Sequence, residues 1–72
     1  MTEAQKLRRI ISDAGWSRAR AAQVLECEVQ TIGRYLMQAL YDDGNKVTGQ
    51  RRQPHSSLVK LASIAAAVGG AR

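Results

Sequence analysis

Four stretches of this chain place apolar residues three and four positions apart, and each stretch is bounded by residues that start or end helices. That pattern restricts the fold to packed helices. Over 3–14, Ala4, Leu7, Ile10, Ile11 and Ala14 share one face, with Lys6, Arg8 and Arg9 off it and Gly15 placed to close the helix. Ser17 suits the N-cap of a short second helix over 18–25, with Trp16 as a hydrophobic anchor and Ala21, Ala22 and Leu25 turned inward. A third helix over 29–41 carries Ile32, Tyr35, Leu36 and Leu40 on one face. Glu26–Cys27–Glu28 holds neither Gly nor Pro, and propensity alone would fuse these two helices. The change of apolar face instead places a turn there, with Cys27 buried at the corner. Asp42–Asp43–Gly44–Asn45 ends the third helix, and Lys46–Val47–Thr48 has the weak strand character that would give a short wing in the 42–54 loop. A last helix over 56–68 repeats Leu58, Leu61, Ala62, Ala65 and Val68 at helical spacing, with Ile64 beside them, Pro54 ahead and Gly69–Gly70 behind.

The expectation is a single all-α domain, 1–72, of about four helices. A chain of 72 residues buries only about 60% of the surface it exposes when unfolded, so a partner chain would add needed core. Trp16, expected in the core, Tyr35 and Tyr41 are the only aromatic residues. Eleven Lys and Arg against six Asp and Glu give a net charge of +5, and eight of those cations are arginine. Arginine excess suits bidentate contact with phosphates and base edges, which makes nucleic acid the first partner to consider. Cys27 and His55 are the lone residues of their types, so neither an internal disulfide nor a Cys/His zinc site can be assembled. No metal, cofactor or small-molecule ligand is expected. No apolar run approaches the ~20 residues that span a bilayer, and the polar start Met1–Thr2–Glu3–Ala4–Gln5–Lys6 does not read as a secretory leader. The expectation is therefore a cytoplasmic protein with no membrane partner.

A short helix from Ser17, a turn near Glu26–Glu28 and a helix from Val29 make a helix-turn-helix candidate over about 17–36. Ala22 supplies the small residue needed where two steeply crossing helices touch, and Leu25, Cys27, Ile32 and Tyr35 fill the wedge. This run resembles the Cro and phage-repressor helix-turn-helix family, with Ala21–Ala22 as the small pair and Leu25 and Cys27 flanking the turn. Glu26 departs from that family, which usually has a left-handed Gly there; a rearranged turn would shift the register of the helix that follows. Leu7–Arg8, Ala14–Gly15, Ser17, Arg20–Ala21–Ala22, Leu25, Arg34–Tyr35–Leu36 and Pro54 ahead of an apolar helix are also similar to the small anti-CRISPR-associated repressors of phages. That resemblance implies a dimeric repressor in a bacterial host cell, which binds an inverted repeat and silences an anti-CRISPR operon.

If the motif holds, its geometry assigns roles. The N-terminal residues of a recognition helix reach base edges in the major groove. Those are Glu28, Val29, Gln30 and Thr31, with Gly33 and Arg34 one turn on. Gln30 could pair with adenine, Arg34 with guanine or a phosphate, and Val29 with a thymine methyl; Glu28 could accept from cytosine or simply cap the helix. Gly33 would let the backbone approach the groove wall. Ser17, Arg18 and Arg20 should meet phosphates at the start of the second helix, and Arg51 and Arg52 should clamp the backbone or enter a minor groove. Solvated surface charge is the plainer reading of the same arginines. Leu58, Leu61, Ile64, Ala65 and Val68 form an apolar stripe wider than a surface helix needs, which suits a homodimer seam; the rival packs that helix wholly on the first and leaves pairing to Met37 and Tyr41.

The leading function is thus a sequence-specific regulator that binds double-stranded DNA, most simply as a dimeric repressor. The alternative is an adaptor or antitoxin whose helix-turn-helix surface meets a protein, although that surface is basic and polar rather than apolar. An enzyme is disfavoured, since no phosphate loop, metal set or nucleophile–His–acid arrangement is present.

Overall fold

The computed structural model describes residues 1–45 and 52–69. Four α-helices carry the fold: α1 Glu3–Ala14, α2 Arg18–Val24, α3 Val29–Asp42 and α4 Ser56–Gly69. No strand occurs among the described residues, and the expected wing and Arg51 lie outside them. α1 packs against α3 and α4, and α2 against α3. Leu7, Ile11, Ala21, Ala22, Leu25, Ile32, Val59 and Ala62 form the buried cluster. Trp16 and Cys27 are half-buried at its edge rather than enclosed, because each sits at a corner where the chain leaves a helix. Burial, and then the neighbouring Glu28 carboxylate, push the Cys27 thiol up.

α1 and α2 end in the same way. After α1, Gly15 adopts φ 72°, its N–H donates to Ser12 O and Trp16 N–H to Ile11 O. After α2, Glu26 adopts φ 54°, its N–H donates to Gln23 O and Cys27 N–H to Ala22 O. Both are paired closures that satisfy the last carbonyls of a helix through one left-handed residue. The turn is therefore not rearranged by Glu26, and α3 begins at Val29 as its apolar phase requires. The side chain instead bears the strain. Glu26→Gly should stabilise the fold by about 0.5–1 kcal/mol, because glycine's larger unfolded-state freedom offsets part of the ~1–2 kcal/mol cost of a left-handed side chain. Urea unfolding measures this, and an unchanged or lower midpoint would show the turn to be unstrained.

A single carboxylate ties the start of the chain to the segment that leads into α4. Asp42 Oδ2 accepts from Thr2 Oγ1 (2.6 Å) and Gln53 Nε2 (2.8 Å), and its Oδ1 accepts from Gln38 Nε2 (2.8 Å). Thr2 also caps α1, accepting from Gln5 N (3.2 Å) while its own N–H donates to Gln5 Oε1 (2.7 Å). Gln53 Oε1 takes the next orphan donor, the N–H of buried Ala4, at 2.9 Å. Asp43 receives Gln5 Nε2 and Arg8 Nη1 at 2.6 and 3.2 Å. Acids at the C-terminus of α3 have the wrong sign for that helix's own dipole; they serve the positive end of α1 instead.

Hydrogen bonds from Thr2 and then Gln53, with a smaller contribution from Gln38, hold the Asp42 carboxyl below its usual range against the opposing effect of burial. A lowered folded value means that this stabilisation is fully present above about pH 4 and is lost as pH falls through the folded value. Asp42→Ala should cost about 1–3 kcal/mol near neutral pH, by removing the acceptor that the Thr2 hydroxyl and the Gln53 amide share. It should also flatten the acid limb of a plot of urea stability against pH. An acid limb as steep as that of the parent chain would place the pH sensitivity elsewhere.

α4 buries only part of its apolar surface. Val59 and Ala62 are the buried residues, Leu58 and Ala65 are half-buried, and Leu61, Ile64 and Val68 are 45%, 54% and 76% exposed. The helix is apolar nearly all round, so spacing alone does not decide which face meets α1. His55 stands at its N-terminus, where its Nδ1 accepts the Ser57 N–H at 3.1 Å.

Candidate nucleic-acid interface

The site begins with the two helix starts that follow the closures at Gly15 and Glu26. Ser17 Oγ accepts the N–H of Arg20 at 3.0 Å, capping α2 and placing exposed Arg18 and Arg20 on its first turn. Arg20 Nη1 also donates to Gln23 Oε1 at 3.2 Å. Glu28 holds the N-cap position of α3 with extended backbone, yet its side chain makes no cap hydrogen bond. Glu28 therefore caps α3 by position and through its carbonyl, which accepts the Ile32 N–H at 3.2 Å, and not through its side chain, a poor N-cap group compared with Ser, Thr, Asp or Asn. Glu28 and Gln30 are exposed, and Val29 is 48% exposed, a large apolar side chain left at the helix start.

Further along α3, Thr31 is half-buried and Arg34 exposed. Gly33 falls one turn after Val29 and Gln30, on the same side of the helix. A Cβ at Gly33 would meet no atom within 4 Å, so no packing within the described chain requires glycine there. Thr31, Arg34 and Tyr35 border a cleft completed by exposed Arg52.

Charge pairing distinguishes the cations of α1 from those of the other elements. The cations of α1 have acidic partners within the chain: Lys6 with Glu3 (3.3 Å), Arg8 with Asp43 (3.2 Å) and Arg9 with Asp13 (3.8 Å). Arg18, Arg20, Arg34 and Arg52, together with exposed Lys60 of α4, have no acidic partner among the described residues. The exposed carboxylates of Glu26 and Glu28 sit on the turn between α2 and α3, and neither pairs with those four arginines. No group of three or more His, Cys, Asp or Glu able to hold a metal occurs among the described residues. Nor is any helix there long and apolar enough to cross a membrane. The chain matches no protein-family model, no curated protein and no solved structure.

The structure thus brings Ser17, Arg18 and Arg20 to one helix start, and Glu28, Val29 and Gln30 to the next. It joins Thr31 and Arg34 to Arg52, and leaves Leu61 and Ile64 exposed on α4, with exposed Val68 bordering a cleft beside Trp16 and Arg20. Tyr35 is the border residue to which sequence spacing assigns only an inward role. A tyrosine on an inner face, one position from an arginine, can serve both surfaces by burying its ring and leaving its hydroxyl near the edge.

Proposed function

We propose that this chain is a sequence-specific regulator that binds double-stranded DNA and acts as a homodimeric repressor on an inverted repeat. The observation that carries this reading is the division of charge: α1 neutralises its cations internally, whereas the arginines of α2, α3 and the segment before α4 have no acidic partner among the described residues. Unpaired guanidiniums beside a helix start suit phosphates, and the exposed side chains of Val29 and Gln30 suit base edges in the major groove. In this reading α3 is the recognition helix, and Ser17, Arg18 and Arg20 set its register on the backbone. Leu61, Ile64 and Val68, with half-buried Leu58 and Ala65, pair the two chains through α4. The phage-repressor resemblance of the 17–36 run points the same way.

Selection of bound fragments from a random DNA pool tests the proposal. Enrichment of an inverted repeat is the expected result. No enrichment would favour a protein partner for the same surface.

Gly33 supplies a separate check. An internal glycine costs a helix about 1 kcal/mol relative to alanine, and the space around Gly33 is open. Gly33→Ala should therefore raise stability by about 1 kcal/mol while weakening DNA binding, because the added methyl meets the groove wall. A variant that is more stable and binds undiminished would remove α3 backbone approach from this reading.

A further inference from the structure

We infer that Arg34 and Arg52 hold one and the same backbone phosphate of the bound DNA, in a cradle completed by Thr31 and Tyr35. The inference rests on the DNA-binding reading and deepens it by moving Arg34 from the bases to the backbone.

The cleft bordered by these four residues has a volume of about 260 Å³. Three of them come from α3 at positions 31, 34 and 35, which lie on one side of a helix turn. The fourth comes from the far end of the 46–51 connection, so chain proximity does not explain its presence. Its placement is well supported: the next residue, Gln53, is tied to Asp42 Oδ2 (2.8 Å) and to the N–H of Ala4 (2.9 Å), and Pro54 after it is buried. Arg52 thus leaves an anchored piece of backbone. The ring of Tyr35 packs against the core cluster, which steadies the opposite wall.

The chemistry of that lining selects the occupant. Arg34 and Arg52 border one cleft, and no carboxylate among the described residues is paired with either. An anion in the cleft is attracted to both. A guanine edge offers O6 and N7 to a single bidentate guanidinium, and a second arginine in the same cleft would be left without acceptors. A phosphodiester offers two charged oxygens that can accept from both arginines and from the hydroxyls of Thr31 and Tyr35. Arg34 also lies more than a full turn beyond the α3 N-terminus, whereas base contact is concentrated in the first residues of a recognition helix.

The test uses the full chain and the tightest duplex recovered from a random pool. Single neutral methylphosphonates replace each backbone phosphate in turn. At one phosphate per half-site the substitution should weaken parent binding about tenfold. Arg34→Ala and Arg52→Ala should each blunt the response to that same position and the double variant should be indifferent to it, whereas Arg18→Ala should still respond to it in full. Circular dichroism accompanies each variant, and all three side chains are exposed, so the fold should be retained. If the two variants blunt the response to different phosphates, or if Arg34→Ala keeps the full phosphate effect and loses a base preference, the shared cradle is wrong and DNA binding still stands. If no duplex is enriched, the DNA-binding reading falls and the cradle falls with it.

Discussion

Raising the salt concentration from about 50 to about 200 mM should weaken binding to duplex DNA by about 10³-fold. The magnitude follows from the arginines without an acidic partner among the described residues. Under the proposed reading Arg18 and Arg20 would each take a phosphate and Arg34 with Arg52 a shared one, so three contacts on each chain would become six on a dimer. Each contact on B-DNA contributes about 0.9 to the slope of log affinity against log salt, which gives a slope near −5. Separate phosphates for Arg34 and Arg52 would make eight contacts and about 10⁴-fold weakening over the same interval. A titration followed by fluorescence anisotropy distinguishes these values. An affinity indifferent to salt would contradict electrostatic binding altogether, and with it the significance given to the unpaired arginines.

Replacing Leu61 and Ile64 together by glutamate should convert the chain into a folded monomer. Both side chains are roughly half exposed, and the buried residues of α4 are Val59 and Ala62, so the double variant leaves the contact with α1 intact. On a symmetric seam the same change sets like charges against each other in an apolar contact, at a cost no small interface can absorb. Operator affinity should then fall toward the non-specific level, by about 10³-fold or more, because one recognition helix reads only one half-site. Sedimentation reports the oligomeric state and circular dichroism the fold. A folded variant that still sediments as a dimer excludes α4 as the seam and directs attention to Met37 and Tyr41 on α3.

The helices themselves were legible because their determinants are local. Gly15 and Ser17 sit at a helix end and a helix start, and the apolar phase of 18–40 located the turn without help from residue type. The left-handed position of Glu26 is marked only by the phage-repressor resemblance, which has a Gly there, since nothing in a glutamate announces it. The face of α4 was not legible, because an apolar helix offers more than one surface and tertiary contact selects Val59 over Leu61. Least legible was the Asp42 clasp, which joins residues 40 and 49 positions apart. Two faint signals preceded it: the Thr2–x–x–Gln5 pattern of a capping box, and adjacent aspartates at the wrong end of a helix. The joining of Arg34 to Arg52 is hidden for the same reason, because it depends on where Gln53 is held.

The clasp also bears on how far apart two half-sites can lie. α4 packs on α1, α1 packs on α3, and the carboxylate of Asp42 ties the end of α3 to the start of α1 and to the segment leading into α4. In a dimer joined through α4, the span between the two recognition helices is the sum of these joints taken twice. Asp42 then acts as the rivet of a pair of calipers. Loosening it leaves each jaw able to read its own bases but widens the range of gaps the pair will accept. An Asp42 variant selected against operators with altered central spacers should keep the parent's base preferences within each half-site while losing its preference for one spacer length.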